Sequence, residues 1–194
     1  KHPWTILAAG AAIQVLTGIP AAWGVFQQPV MDEYGLSEQG AGYAFGILIA
    51  AFGVGCVLGG FLQDSRGPRC AALWGTALLC GGFFAAAMLP GGSAGSFFLA
   101  FSIPAGLGTA FLYPSIQSCA QKWYAGRKGL ATGVIGGAVG LSGAFLTVFV
   151  RTAVSGFGIV QGIRGAFWAL GAITLPVCLA GSLLLQDPPQ DAEK

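Results

Sequence analysis

Long apolar runs separated by short polar connections dominate this chain. A helix rises 1.5 Å per residue, so about 20 apolar residues cross the ~30 Å hydrocarbon core of a lipid bilayer. The pattern therefore predicts an all-α membrane protein with a six-helix transmembrane bundle over residues 1–185, followed by the start of a cytoplasmic linker at 186–194. The runs, none of which contains an acidic or basic residue, cover 4–26, 42–62, 70–89, 95–119, 130–150 and 165–185.

Composition supports the same class. Hydrophobic residues make up 55% of the chain and charged residues 8%, whereas average proteins carry about 25% charged residues. The sequence has no basic run with interleaved aromatic residues, so nucleic acid is not an expected partner. The five cysteines show no C-x-x-C spacing and the single histidine is His2, so no metal site or cofactor is predicted. The expected partners are the lipid bilayer and a small-molecule solute.

The charges of the connections predict the orientation. Connection 27–41 contains acidic residues and no basic residue, whereas the basic residues of connections 63–69 and 120–129 are Arg66, Arg69, Lys122, Arg127 and Lys128. Basic connections are retained in the cytoplasm. Both termini are therefore predicted to be cytoplasmic, in a multi-pass protein of the plasma membrane.

Glycine is frequent, with 33 residues in 194, against about 7% in average proteins. Small residues four positions apart let helix axes approach closely in lipid. Four such pairs are expected to mark tight helix packing, which is compatible with helices that rock against their neighbours during transport. They are Gly42/Gly46, Gly55/Gly59, Gly129/Gly133 and Gly136/Gly140.

Prolines interrupt three of the apolar runs. Pro20 lies in the first run, Pro104 and Pro114 in the fourth, and Pro176 in the sixth. Each removes a backbone hydrogen bond, which neighbouring groups must replace. The first and fourth runs share an Ile-Pro-Ala phrase, beginning at Ile19 and at 103. Corresponding interruptions can mark a binding site between repeats. The apolar runs use few residue types, however, so chance similarity explains the shared phrase equally well.

Polar side chains in the first and fourth runs are candidates for a substrate path. Gln14 and Thr17 are one helical turn apart, and Thr109, Tyr113 and Gln117 follow each other at intervals of four, so each set shares a helix face. An unpaired amide in hydrocarbon is costly, so these groups should face protein or a water-filled cavity. They either join helices through hydrogen bonds, the favoured interpretation for the threonines, or line the path of a solute.

Two connections contain sequence motifs in addition to the charges that predict the orientation. Residues 60–69 read GFLQDSRGPR, which includes Gly60, Asp64, Arg66, Gly67 and Arg69. Residues 122–133 read KWYAGRKGLATG, which includes Arg127, Lys128 and Gly129. Both connections either set the topology or form a gate whose ion pairs hold one conformation.

Together these connections resemble motifs of the major facilitator superfamily. Gly60, Asp64, Gly67 and Arg69 match its signature G-x-x-x-D-R-x-G-x-R, with Ser65 in place of the first arginine. The run 122–133 and the stretch WGVFQQP that begins at Trp23 are similar to the oxalate/formate antiporter and monocarboxylate-porter families. The resemblance covers 4–185 and corresponds to the N-terminal half of the superfamily fold.

The resemblance implies a 3+3 inverted repeat in each of two six-helix halves, with the solute held between the halves and moved by alternating access. It implies no cofactor. It also implies that Trp23 and Tyr113 face the solute, while cationic groups come from the C-terminal half. Pro20 and Ala21 replace the polar-aromatic pair of oxalate-handling members, and Val139 stands where an aromatic residue can occur. A carboxylate larger or less polar than oxalate is therefore expected, either a monocarboxylate or a dicarboxylate.

Three functional interpretations remain open. The chain is one half of a secondary transporter that needs a missing C-terminal six-helix half, a self-sufficient six-helix channel or transporter acting as a dimer, or a transport-inactive truncated scaffold. An enzyme is not expected, because all seven acidic residues lie in connections or in the tail. Intramembrane catalysis would need an activated nucleophile, a metal or paired acids within the bundle.

Overall fold

The computed structural model describes residues 3–155 and 162–186, which are mostly helical. The helices are α1 (Pro3–Thr17), α2 (Ile19–Tyr34), α3 (Glu38–Arg66), α4 (Pro68–Met88), α5 (Ala94–Phe97), α6 (Ile103–Trp123), α7 (Lys128–Val154) and α8 (Gly162–Leu184). A π-helical segment, Phe98–Ser102, joins α5 to α6, and a short 3-10 turn, Ala125–Arg127, precedes α7. These residues contain six helical stretches long and apolar enough to cross a membrane, with α1–α2 and α5–α6 forming one each. The prediction of an all-α protein with six spans is confirmed.

The helices extend beyond the apolar runs that predicted them. The first run ended at 26, whereas helix continues through Asp32 to Tyr34. Polar side chains at the end of a span can pair locally outside the hydrocarbon, and Gln28 Nε2 donates to Asp32 Oδ1 at 2.9 Å, one turn along. Gly35 ends the helix because its φ of 69° lies in the left-handed region, which glycine adopts without strain.

The first span is interrupted at the shared phrase, whereas the fourth changes there from π-helix to α-helix without a break. Gly18, with φ −75° and ψ 41°, separates α1 from α2, and Pro20 lies in the first turn of α2. Pro104 likewise lies in the first turn of α6, directly after the π-helical segment. The first turn tolerates proline because its N–H groups have no partner within the helix. Pro114 and Pro176, in contrast, lie inside continuous helices.

Close contacts around α6 hold the bundle together. This helix packs against α3 and α4, while α4 packs against α8 and α1 packs against α7. Glycine makes the α6 contacts possible. A Cβ on Gly106 would collide with the Leu48 carbonyl of α3, and a Cβ on Gly108 would lie 2.5 Å from the Leu79 nitrogen of α4. The backbones therefore approach each other more closely than any side chain would allow.

A buried aromatic cluster lies towards the end of the bundle where α4 ends and α8 begins. The ring of Phe101, in the π-helical segment, lies 5.1 Å from that of Phe97 and 4.9 Å from that of Phe167 in α8. Phe83 of α4 approaches the same ring at 6.1 Å. All four side chains are fully buried. Aromatic pairs at these separations add to the energy of burial, so the cluster anchors the π-helical segment of the fourth span.

The ends of the spans fall into two groups. At one end, Arg164 Nε donates to the Ala87 carbonyl at 3.1 Å, and its Nη1 lies 3.9 Å from Glu33 Oε1. These contacts join α8, α4 and α2. At the other end, Trp123 Nε1 donates to the Gln186 carbonyl at 2.6 Å, which brings the end of α6 to the end of α8. Helix ends therefore alternate between two faces, as a six-span chain requires.

The expectation of tight packing is wrong for three of the four glycine pairs within the described bundle. Gly55 and Gly59 do pack, because a Cβ on either would meet α6 at 2.6 Å and 2.9 Å. A Cβ on any member of the other pairs would meet no atom within 4 Å. The spacing alone could not distinguish a contact face from an open one. The open pairs are Gly42/Gly46, Gly129/Gly133 and Gly136/Gly140.

Candidate functional site

A cavity of about 250 Å³ lies beside the break in the first span. Five helices besides the break contribute to its wall, α1, α2, α3, α6 and α7, so it lies between spans one, two, four and five. Its lining residues are Gln14, Thr17, Gly18, Pro20, Ala21, Ile49, Phe52, Thr109, Tyr113 and Val139. Most are apolar and none is charged.

The break is stabilised from α7. Ser142 Oγ lies 3.3 Å from the Gly18 carbonyl and 2.6 Å from the Val139 carbonyl, so its one proton is shared between them. A Cβ on Gly18 would collide with the Ser142 hydroxyl. Glycine is therefore required at the break, because the serine fills the space that a side chain would take.

The polar atoms of the cavity are incompletely paired. Thr17 Oγ1 donates to Gln14 Oε1 at 3.3 Å. Gln14 is 1% exposed, and its Nε2 has no hydrogen-bond partner among the described residues. Thr109 is 5% exposed, and its hydroxyl also lacks a partner there. A buried unpaired donor is costly, so these groups are arranged to meet a ligand or water.

Four of the six predicted cavity residues line this one space. Gln14 and Thr17 reach it from α1, and Thr109 and Tyr113 reach it from α6. Only tertiary structure brings the two sets together.

Trp23 lies outside the lining of this cavity, and its contact with a solute stays a prediction. It is 6% exposed and stacks on Phe45 and Phe101, with ring centroids 5.9 Å and 6.4 Å away, so it belongs to the aromatic packing and not to the wall of this cavity. Gln117 also lies outside the lining, and its Oε1 is buried without a partner in the described chain.

Sequence reasoning missed the apolar part of the wall. Ile49 and Phe52 of α3 face the cavity, but nothing distinguishes them from the other apolar residues of a span that is apolar throughout. The role of Gly18 could have been predicted from the sequence, because a glycine directly before an Ile-Pro step favours an interruption of the helix.

The motif residues lie at the end of the bundle where α3 meets α4. Asp64, Arg66 and Arg69 are exposed, and none of them forms an ion pair within the described residues. Gly67 has a φ of 85°, and its N–H donates to the Gln63 carbonyl at 2.8 Å, which ends α3 and lets Pro68 begin α4. Gly67 is therefore required by the turn itself.

The second motif lies where α6 meets α7. Arg127, Lys128 and Gly129 are exposed, as the gate interpretation needs. Gly60, from the first motif, has open space at its Cβ position. These groups are available to a partner, and no gate-type ion pair between the two motifs forms in the part of the chain described here.

The described residues hold no group of three histidine, cysteine or acidic side chains placed to bind a metal ion. The cavity instead offers neutral polar groups in an apolar wall, between helices that cross a membrane. The Major Facilitator Superfamily profile matches residues 6–194. The chain belongs to this superfamily.

Curated relatives agree with this placement. An uncharacterised 38 kDa protein of Thermoproteus tenax is 30% identical over 94% of this chain and 46% of its own length. The oxalate:formate antiporter of Oxalobacter formigenes is 23% identical over 93% of this chain and 41% of its own. Monocarboxylate transporter 9 of Mus musculus is 29% identical over 93% of this chain and 35% of its own length. The chain spans less than half the length of each.

Solved structures show the same fold. The xylose transporter XylE from E. coli, in an inward-open conformation, matches with a TM-score of 0.75 and 16% identity over all of this chain and 50% of its own. A peptide transporter, POT, solved in complex with sulfate, matches with a TM-score of 0.70. It is 23% identical over 94% of this chain and 37% of its own. The chain corresponds to a half-length superfamily domain of a multi-pass membrane protein.

Proposed function

We propose that this chain is the N-terminal half of a secondary transporter that moves small carboxylate anions by alternating access. The observation that carries the proposal is the cavity at the break in the first span, where unpaired polar atoms of two helices face one uncharged space. The names of an oxalate:formate antiporter and a monocarboxylate transporter among the relatives support carboxylates as the solute class.

The proposed partner is a second six-helix half. The chain corresponds to 50% of the xylose transporter's length, and α3 and α7 are the least buried of its spans. Since the cavity wall contains no charged residue, a cation that balances the solute would come from the second half. Asp64 and the exposed basic residues of the two motifs would then form gate contacts with that half.

Uptake into proteoliposomes tests the proposal. The chain would be assayed alone and after fusion to the part of the oxalate:formate antiporter that it does not cover, with labelled lactate and oxalate as solutes and xylose as an uncharged control. We expect the fusion protein to take up a carboxylate, lactate faster than oxalate, and the chain alone to take up none. Uptake of xylose but of neither carboxylate would contradict the solute class.

The other interpretations give different results in the same assay. A self-sufficient dimer would transport without fusion and would form crosslinks between copies. An inactive scaffold would insert correctly and transport in neither form. The proposed orientation, with both termini in the cytoplasm of the plasma membrane, predicts that cysteines replacing Arg66 and Lys128 react with an impermeant thiol reagent only from the cytoplasmic side.

A further inference from the structure

The broken first span presents hydrogen-bond donors to the cavity. Gln14 Oε1 already accepts from the Thr17 hydroxyl at 3.3 Å, which orients the amide so that the two N–H groups of Nε2 are left without a partner among the described residues. Thr109 Oγ1, which lines the cavity from α6, also has no partner among the described residues and can donate. Both side chains are more than nine-tenths buried.

Two acceptors at the break, in contrast, are already paired. The Gly18 carbonyl, which the interruption would otherwise leave open, accepts from the Ser142 hydroxyl at 3.3 Å and from the Ala21 N–H at 3.1 Å. Gln14 Oε1 accepts from Thr17, as described above. Among these groups, the atoms left free to bind a ligand are therefore donors, Gln14 Nε2 and the Thr109 hydroxyl.

The start of α2 adds to this polarity. This 16-residue helix begins at Ile19, and Gly18, Pro20 and Ala21 of its first turn line the cavity. The N-terminal end of a helix carries a partial positive charge and favours an anion. The N-cap residue is a glycine, so no side chain of its own competes for that end.

From these three features we infer that the break binds the carboxylate of a monocarboxylate through neutral donors. Gln14 Nε2 and the Thr109 hydroxyl take the carboxylate oxygens, and the partial positive charge at the start of α2 favours the anion without donating a hydrogen bond to it. Ile49, Phe52 and Val139 supply the apolar wall for the hydrocarbon part. The inference rests on the proposed function and goes beyond it, because it names the groups that recognise the solute and favours one carboxylate over two.

The size and polarity of the space support a single carboxylate. A cavity of about 250 Å³ accommodates only a small molecule, and its polar side chains come from α1 and α6. A second carboxylate on the same solute would lie against the apolar wall, where burying an unpaired charge is strongly unfavourable. In this half of the protein, a dicarboxylate would therefore bind less tightly than a monocarboxylate of similar size.

Binding to the purified chain in lipid nanodiscs tests this inference. The probes are propionate and propionamide, which have the same shape and differ in charge and in the donors of the amide, together with succinate. Dissociation constants would be measured by NMR titration at neutral pH and constant ionic strength. The variants are Gln14→Met and Thr109→Val, which remove a donor and keep the size, with Gln27→Met as a matched control on the same span outside the cavity lining.

We expect the unmodified chain to bind propionate roughly five- to tenfold more tightly than propionamide or succinate, because hydrogen bonds to a charged acceptor are stronger. Each donor-removing variant should weaken propionate binding by a similar factor, with little effect on propionamide. Gln27→Met should match the unmodified chain. Helical circular dichroism and the thermal unfolding midpoint of each variant establish that it is folded.

Equal binding of propionate and propionamide, no binding of either, or unchanged selectivity in both variants would overturn the inference. Its failure can be told apart from failure of the proposed function. Carboxylate uptake by the fused protein together with unselective binding would overturn the binding mode alone. Selective binding of propionate without uptake by the fused protein would overturn the transport proposal alone.

Discussion

Glycines of α6 and α7 have opposite structural uses in the same bundle. In α6, Gly106 and Gly108 allow backbone contact with α3 and α4, and a methyl group at either position would collide with backbone atoms. In α7, five glycines between Gly129 and Gly140 have no atom within 4 Å of a Cβ position. The two helices look alike in composition, but one faces the interior of the bundle and the other presents a smooth open side.

Because of this difference, substitutions in the two regions should affect different properties of the protein. The interior around α4, α6 and α8 holds the fold together, so changes there should affect assembly of the chain. The open side consists of the exposed faces of α3 and α7 and the cavity between them, and these faces contribute few contacts within the described bundle. Changes there should leave the chain folded and affect only what it does with a solute or a second half.

The largest expected effect comes from filling a contact glycine. Gly106→Leu should lower the free energy of unfolding by about 3 kcal/mol, because the α3 backbone cannot move away without breaking its other contacts. Thermal unfolding in detergent measures the change. Gly136→Leu is the matched control, and we expect it to unfold like the unmodified chain. Equal destabilisation by both variants would remove the distinction between the two helices.

The Gly136→Leu variant, which serves as the control for stability, should have a large effect on transport once a second half is present. In the fused transporter, Gly136→Leu should reduce uptake by an order of magnitude or more, because an added side chain on a close helix contact costs about 1–3 kcal/mol. Insertion and abundance should be unchanged. Unaffected uptake would show that the smooth face of α7 is exposed to lipid and does not pack against the second half.

An intermediate effect is expected at the cavity. Tyr113→Phe removes one hydroxyl without changing the ring, so the KM of the fused protein for lactate should rise about two- to tenfold, which corresponds to one hydrogen bond of 0.5–1.5 kcal/mol. The kcat and the unfolding midpoint should stay the same. An unchanged KM would assign Tyr113 to packing.

The smallest effect is expected at the motif. Asp64 is exposed and unpaired in the described bundle, so Asp64→Asn should not alter the unfolding midpoint. In the fused protein we expect transport to slow about two- to fivefold, the effect of one exposed ion pair lost from one conformation. Glu38→Gln, at the other end of α3, is the control with the same chemistry. Equal rates for both variants would remove the gate role of Asp64.

Some features of the site followed from local chemistry. Gln14 and Tyr113 are polar groups in otherwise apolar runs, so their relation to a cavity could be predicted from the cost of burying them alone. Trp23 was assigned to the solute path by resemblance, and the structure shows that it packs against Phe45 and Phe101. An aromatic residue satisfies either role, because its apolar ring has no strict need for a polar partner.

The amino-acid sequence by itself determined the class of this protein. Six runs without charge can only be accommodated in lipid as helices, since helices satisfy their own backbone groups. The sequence also determined where the chain could break, because Gly18 and Pro20 weaken helical hydrogen bonding locally. Only the tertiary structure decided which glycines are contacts and which atoms share a cavity. Spacing places residues on one face of a helix, but the neighbour opposite that face depends on how distant helices pack.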